Sequence, residues 1–198
     1  MLTLKEFKRK LVHIALGAII VTTYYYNLLS PLALLLLITA GIMSSLISKR
    51  INLPIFSEFI NWFERDEVKQ SFPGRGLIFF LVGSLLAIQL FEKNIALAAI
   101  MVLTLGDSFS HIIGGKYGRL KNIFNLRSKK LFEGTLAGSL AGFLGALIFV
   151  PFPEAFLGSF AAMIAEVIEI DLNQKSVDDN IVVPLIAGTV MYLVAKFV

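Results

Sequence analysis

The sequence predicts an all-α integral membrane protein, a bundle of about seven transmembrane helices whose N-terminus lies in the cytoplasm. Two observations support this fold class. The chain of 198 residues is 57% hydrophobic and only 16% charged, whereas soluble domains average about 25% charged residues. In addition, its lysines and arginines fall into alternate connections between the apolar segments. A chain of this length is predicted to form one domain over residues 1–198.

The helices follow from apolar runs of roughly 17–25 residues, the length that crosses a bilayer. Residues 11–48 contain no Asp, Glu, Lys or Arg, which exceeds one span, and Pro31 favours a helix start over a helix interior. The first run has no small-residue cleavage site, so it is predicted to be a retained span and not a signal peptide. Seven spans are predicted near 10–27, 31–49, 76–92, 94–113, 134–151, 155–170 and 180–197.

A shorter segment between the second and third spans, 55–63, is predicted to lie at the membrane surface. It mixes aromatic residues with the carboxylate of Glu58. Aromatic rings favour the headgroup level, where one side of a helix meets lipid and the other meets water. The segment is therefore not counted among the spans.

Positive charge predicts the orientation, because cytoplasmic loops of membrane proteins carry an excess of Lys and Arg. With the N-terminus inside, 16 of the 18 such residues fall in inner segments, and only Lys93 and Lys196 fall outside. The net charge of +4 is thereby explained without a nucleic-acid partner. Most acids gather at the same face, where any chemistry is predicted. Cysteine is absent, which excludes thiolate metal sites and cysteine nucleophiles.

Asp107 is the strongest candidate for chemistry. It lies within the fourth predicted span, where an ionised carboxylate is costly unless a partner or a metal compensates its charge. Asp107, Ser110 and His111 share one helical face at spacings of three and four residues. A polar contact between helices would also explain this carboxylate, but we favour a metal-ligating role.

A basic, glycine-containing loop follows, from Gly114 to Gly134. Glycines let backbone N–H groups approach an anion, and Lys and Arg neutralise phosphate charge. Neither a Walker loop nor a GxGxxG motif is present. Such loops are often only topogenic, but Asp107 and Glu133 bracket this one, and carboxylates beside lysines are typical of a magnesium-bound polyphosphate. We therefore predict Mg²⁺ on Asp107 and Glu133. Phosphate binding is predicted for Lys116, Arg119, Lys129 and Lys130.

Acids at the inner ends of the last two spans are further candidates. Glu166 and the pair Asp179-Asn180 lie deep in, or directly against, predicted spans, so they are predicted to belong to the site. The remaining acids near them are expected to be ordinary solvated charges. These are Glu169, Asp171 and Asp178.

Two other patterns occur on helical faces. Arg9, Lys10 and His13 are neighbours on the first helix and are predicted to form a second cationic patch. The fifth span carries glycines at spacings of four, four and three residues. Small residues at such spacings let helices pack closely in lipid, so these glycines are predicted to be structural. They are Gly134, Gly138, Gly142 and Gly145.

The order of these motifs resembles the polyprenol kinase family, which includes dolichol kinase, phytol kinase and CTP-dependent diacylglycerol kinase. The resemblance covers nearly the whole chain. Its motifs are Arg9-Lys10-x-x-His13, Gly106-Asp107, the Gly114–Arg119 turn, Lys130-x-x-Glu133-Gly134, Glu166 and Asp179-Asn180-x-x-x-Pro184. The sequence departs from the family at Ser110, where alanine is usual, and at Leu131, where a hydroxyl residue is usual. The stretch from Lys129 to Gly134 also resembles part of CDP-diacylglycerol synthase, but the closing motif of that family is absent.

The resemblance implies a transmembrane catalytic domain that uses CTP and a divalent cation to phosphorylate a membrane lipid alcohol of the dolichol or polyprenol type. Asp179 or Glu166 would then orient or deprotonate the alcohol, and His13 with Arg9 and Lys10 would contact the acceptor or the product phosphate. Asn180 joins the nucleotide-binding set.

Two other functions stay open from the residues. A cytidylyltransferase would make a CDP-activated lipid from a lipid phosphate with similar cations. A small-solute transporter would place its site near the membrane midplane, at broken helices in repeated halves; no internal repeat is evident, and the charges lie at one boundary. The residues also leave a homo-oligomer open for each of these functions, including the lipid kinase.

Overall fold

The computed structural model describes residues 2–51, 58, 60, 72–125, 128, 130–168, 171–172 and 175–197. Over these residues the chain forms seven helices and one antiparallel pair of two-residue strands. The helices are α1 Leu4–Tyr25, α2 Pro31–Ser48, α3 Arg75–Leu90, α4 Lys93–Tyr117, α5 Phe132–Ala146, α6 Phe152–Ile168 and α7 Asp179–Phe197. The strands are β1 Asp171–Leu172 and β2 Lys175–Ser176. A helix is present at each of the seven predicted spans. The predicted surface segment 55–63 lies outside the described residues except for Glu58 and Ile60.

Local sequence explains where the first two helices begin. Thr3 precedes α1, and its hydroxyl accepts a hydrogen bond from the Glu6 backbone N–H at 3.2 Å. Ser30 precedes α2 and accepts from the Ala33 backbone N–H at 3.1 Å. Such caps satisfy donors that a first helical turn leaves unpaired, and proline is tolerated at the first helical position. The predicted division of residues 11–48 at Pro31 is therefore confirmed.

Three helices in the described part of the chain are long and apolar enough to cross a membrane, namely α2, α4 and α7. Among them, α4 lies at the centre of the bundle, because 72% of its most apolar stretch is buried inside the protein, against 17% for α2. Outward-facing side chains such as Leu32 and Leu36 thus give α2 the apolar surface expected of a lipid-facing helix. The number of helices that cross the membrane stays a prediction.

The helices run in alternating directions between two ends of the bundle. At one end, Lys93 Nζ donates to the Tyr25 carbonyl at 2.9 Å and to Asn27 Oδ1 at 2.7 Å. At the opposite end, the Leu2 N–H donates to the Gly115 carbonyl at 3.0 Å. We call this second end the site end, because the charged side chains described below lie there.

Glycines allow α4 and α5 to approach each other closely. A Cβ added at Gly138 would lie 2.6 Å from the Gly106 carbonyl oxygen, and one at Gly134 would lie 2.6 Å from the Ser110 carbonyl oxygen. Any larger residue at either position would require a backbone shift, since real Cβ atoms do not come so close. The predicted packing role of this glycine series is confirmed. The contact places the first two turns of α5 against the C-terminal half of α4.

Candidate active site

Asp107 is presented by an irregular turn in the middle of α4. Residues Val102–Asp107 form a π-helical segment between the α-helical stretches Lys93–Met101 and Ser108–Tyr117. A π turn accommodates an extra residue and is frequent at functional sites, because it redirects the side chains that follow. Asp107 ends this turn, and its side chain is 1% exposed.

One lysine and two imidazoles surround the Asp107 carboxylate. Lys10 Nζ lies 2.5 Å from Oδ2, and the lysine side chain is itself only 4% exposed. His13 Nδ1 lies 3.5 Å from the same oxygen, and His111 Nδ1 lies 3.0 Å from Oδ1. The ion pair with Lys10 compensates the cost of a buried carboxylate. The structure therefore joins the cationic patch of α1 to the acid of α4.

A second group of charges is centred on Lys130, which ends the loop between α4 and α5. Its Nζ forms an ion pair with Glu166 Oε1 of α6, and another with Asp179 Oδ2 at 3.2 Å at the start of α7. The Glu166 side chain is completely buried, whereas that of Asp179 is partly exposed. A single lysine thus ties this loop to two helices.

The two groups of charges meet in one site. Ligand atoms of Asp107, His111 and Glu166 all lie within 4.8 Å of one another. Asp179 interacts electrostatically with Asp107 and Lys10 as well as with Lys130. Carboxylates from α4, α6 and α7 therefore converge with lysines from α1 and the loop at the site end.

The donor set fits a divalent cation. Glu166 Oε2 is buried and has no hydrogen-bond partner among the residues that the structure describes. A buried carboxylate oxygen without a donor is costly unless positive charge compensates it. Mg²⁺ prefers carboxylate oxygens and keeps several waters, which two acids at this spacing allow. The imidazole of His111 would favour a softer metal.

Glu133 lies apart from this cluster and braces the loop. Its Oε1 accepts hydrogen bonds from the Arg119 and Leu120 backbone N–H groups at 2.9 and 3.1 Å. Its own backbone N–H and those two donors lower the pKa of Glu133 below its usual value. The group of metal-ligand candidates in the described residues contains Glu166 and not Glu133. Metal binding by Glu133 stays a prediction.

Asn122 is a loop residue that sequence reasoning missed. It is fully buried, and its Nδ2 donates to Thr135 Oγ1 at 2.7 Å. Nearby, Asn125 Nδ2 donates to the Val167 carbonyl at 3.1 Å. These hydrogen bonds attach the loop to α5 and α6. They therefore help to fix the position of Lys130 in the same loop. Nothing in the sequence pattern distinguishes Asn122 from a solvated loop residue.

The other predicted phosphate ligands that the structure describes are exposed or form an ion pair outside the cluster. Lys116 is exposed, with Nζ 4.9 Å from the centre of the Tyr117 ring, and Arg119 is exposed as well. Arg9 forms an ion pair with Glu6 at 3.8 Å. Lys129 lies outside the described residues. The phosphate-binding roles of these residues stay predictions.

The expectation that Asp178 is an ordinary solvated charge is wrong. Its side chain is only 12% exposed, and Oδ2 lies 3.1 Å from Arg75 Nε at the start of α3. Oδ1 accepts a hydrogen bond from Asn180 Nδ2 at 2.7 Å. Burial raises the pKa of Asp178, and the neighbouring Asp179 carboxylate adds to this, while Asn180 and Arg75 oppose it. The side chains of Glu169 and Asp171 lie outside the described residues.

Arg75 contacts Asp178, and the sequence did not single it out. In the sequence, Arg75 is only one of the 16 lysines and arginines that fall in predicted inner segments. Its position directly before an apolar run is also that of a topogenic anchor, so the pattern carries no signal for a site role. Its contact with Asp178 places Arg75 at the site end.

Relatives of the chain are found among curated proteins. An uncharacterized protein of Methanocaldococcus jannaschii is 32% identical over 193 residues, which cover 95% of this chain and 93% of that protein. CTP-dependent diacylglycerol kinase 1 of Schizosaccharomyces pombe is 22% identical, with coverage of 73% and 72%. The probable chloroplastic phytol kinase 2 of Glycine max is 32% identical, but the match covers 60% of this chain and 45% of that protein. The chain therefore spans less than half the length of that phytol kinase.

No family model matches the chain. No solved structure matches it either. The two kinases named above are not CDP-diacylglycerol synthases, and the partial likeness to that family stays a prediction. Buried carboxylates and lysines converge at one end of an apolar helical bundle, and the chain is similar, at modest identity, to CTP-dependent diacylglycerol kinases and phytol kinases.

Proposed function

We propose that this protein is a membrane lipid kinase that transfers the γ-phosphoryl group of CTP to the hydroxyl of a long isoprenoid alcohol of the dolichol or polyprenol type. The observation that carries the proposal is the convergence of Asp107, Glu166 and Asp179 with Lys10 and Lys130 at one end of an apolar bundle. The kinase relatives support phosphoryl transfer and CTP as donor. The polyprenol acceptor rests on the family resemblance.

A site at the membrane boundary solves a physical problem, because one substrate is a water-soluble polyanion and the other is embedded in lipid. Phosphoryl transfer needs mainly positioning and charge stabilisation. We assign Mg²⁺ to Asp107 and Glu166, where it would neutralise charge on the nucleotide phosphates. Lys130 lies between Glu166 and Asp179 and is assigned to the transferred group. The active site is proposed to face the cytoplasm.

Asp179 is the proposed acceptor of the alcohol proton. Its carboxylate is partly exposed, unlike those of Asp107 and Glu166, so a hydroxyl can reach it. The alcohol oxygen forms a bond to the γ-phosphorus while the bond to the bridging oxygen of CDP breaks, and the proton passes to Asp179. His13 packs on Phe80 with ring centres 4.4 Å apart, and its Nδ1 lies 3.5 Å from Asp107 Oδ2. It is assigned to positioning the acceptor.

Position-labelled CTP tests this proposal directly. Purified protein in nanodiscs is incubated with a polyprenol, Mg²⁺ and CTP labelled at the γ- or the α-phosphate, and the lipid is extracted. We expect γ-label in the lipid and release of CDP. Label from the α-phosphate with release of pyrophosphate would instead identify a cytidylyltransferase. Solute flux across liposomes without CTP turnover would identify a transporter.

A panel of acceptors then defines the lipid. Polyprenol, phytol and diacylglycerol at equal membrane fraction are compared by kcat/KM. The proposal requires the highest value for the long isoprenoid. A preference for diacylglycerol would retain the kinase and reject the acceptor.

A further inference from the structure

We propose that Arg75 is an additional phosphate-binding residue of this site, held in position by Asp178 and Phe79. The inference rests on the proposed function for the identity of the phosphate, but its geometry is independent of Asp107 and Lys130. Nothing in the sequence pattern separates Arg75 from a topogenic anchor. The contacts of its guanidinium group distinguish Arg75 from such an anchor.

The guanidinium is fixed on one edge and on one face. Nε lies 3.1 Å from Asp178 Oδ2, and the guanidinium carbon lies 5.4 Å from the centre of the Phe79 ring. Arginine is suited to such a double contact, because its planar group stacks on aromatic rings while its N–H fork faces outward. The Arg75 side chain remains 43% exposed. Within the described part of the chain, its terminal nitrogens have no other protein partner.

Asp178 is itself held by hydrogen bonds, so it fixes the orientation of the Arg75 guanidinium. Oδ1 accepts from the Asn180 side chain at 2.7 Å and from the Asn180 backbone N–H at 3.2 Å. Only Oδ2 is left for Arg75. An arginine whose only role is to set the membrane orientation requires no ion pair with a buried carboxylate. Arg75 has such an ion pair, and its Asp178 partner is itself held by Asn180.

The next residue connects this arginine to the reacting end of the site. Asp178 binds Arg75, and Asp179 binds Lys130 at 3.2 Å. Two cations therefore pair with two consecutive carboxylates at the start of α7. A phosphate bound by Lys130 would then lie near the N–H groups of Arg75 that have no partner among the described residues. Paired N–H groups of arginine match phosphate oxygens in geometry.

The phosphate has two sources, the nucleotide and the phosphorylated lipid. Three variants are compared in nanodiscs: Arg75→Gln, Arg75→Lys and, as a matched inner-face control, Arg50→Gln. Two quantities distinguish the sources, namely the KM for CTP and the inhibition constant of the lipid monophosphate product. We expect Arg75→Gln to weaken one of them by roughly 10- to 100-fold, the value of a charge-assisted hydrogen-bond pair. Arg75→Lys should recover part of the loss, and Arg50→Gln should change neither.

Binding without turnover separates this inference from the proposed function. The increase in thermal midpoint produced by CTP or by inorganic triphosphate is measured for wild type and Arg75→Lys, a variant that keeps the positive charge. A smaller increase in Arg75→Lys supports the inference even if no lipid is phosphorylated. If the wild type phosphorylates lipid while all Arg75 variants keep wild-type KM, inhibition constant and CTP-induced shift, Arg75 is only a structural or topogenic residue and the inference is overturned.

Discussion

At the scale of single residues, the Lys10–Asp107 pair dominates the energetics of the site. Both side chains are almost completely buried, and their charged atoms lie 2.5 Å apart. A buried ion pair is weak evidence for stability as a pair, but removal of one partner leaves an uncompensated charge, which costs about 3–5 kcal/mol. Substitution of Asp107 therefore has two separate consequences, one for folding and one for catalysis.

A double variant separates these consequences. We expect Asp107→Asn to lower the thermal midpoint and to reduce kcat by about 10²–10³-fold, the range seen when an electrostatic stabiliser is removed. Lys10→Met combined with Asp107→Asn removes both charges and should restore most of the midpoint but none of the activity. Differential scanning calorimetry and lipid phosphorylation are measured on the same preparations. Recovery of activity in the double variant would remove Asp107 from the metal site.

Glu133 gives a prediction about pH. Its pKa is lower in the folded protein than in the unfolded chain, so its stabilising contribution is fully present above the unfolded value of 4.5 and is lost as the pH falls toward the folded value. We expect Glu133→Gln to have a lower thermal midpoint than wild type at pH 7, and the difference to shrink below pH 4.5. A difference that does not vary with pH would show that the carboxylate charge has no role in holding the loop.

At the scale of helices, glycine packing sets the relation between α4 and α5. We expect Gly138→Ala to destabilise the protein by about 1–3 kcal/mol, the range for overpacking a tight interface, because its methyl group would lie 2.6 Å from the Gly106 carbonyl oxygen. Gly76→Ala in α3 is the matched control, since its Cβ would meet nothing within 4 Å. Because Lys130 lies in the loop directly before α5, a shift of α5 away from α4 should also displace Lys130 and reduce kcat. Equal midpoints for the two variants would contradict this account.

The π-helical turn is the element that sequence reasoning could not supply. The run from Asn94 to Ile113 shows apolar composition and a carboxylate, and both are compatible with a regular α-helix. Within this turn, Thr104 packs so closely on α1 that a Cβ at Gly17 would lie 2.1 Å from its hydroxyl oxygen. Such a contact joins residues far apart in sequence, so no local sequence pattern predicts it.

At the scale of the whole molecule, the alternating helices give the bundle a charged site end and an opposite end. Because the chain contains no cysteine, single-cysteine variants can report which end faces the cytoplasm. Lys121→Cys lies in the exposed loop at the site end, and Leu28→Cys lies at the opposite end, where Leu28 is 78% exposed. With a membrane-impermeant maleimide, we expect Lys121→Cys to react only in inside-out vesicles and Leu28→Cys only in right-side-out vesicles. The reverse pattern would refute the cytoplasmic site.

The sequence by itself determined the helical class, the approximate positions of seven helices, the glycine packing face and the polyprenol kinase resemblance. These depend on composition, on proline positions and on periods of three or four residues, which are local properties. Tertiary structure alone decided which charges meet. It brought Glu166 to Asp107, placed the Glu133 carboxylate against backbone N–H groups of the loop, and paired Arg75 with Asp178. The physical reason is that a buried charge is stable only beside a partner, and that partner lies on another helix whose distance along the chain carries no periodic signal.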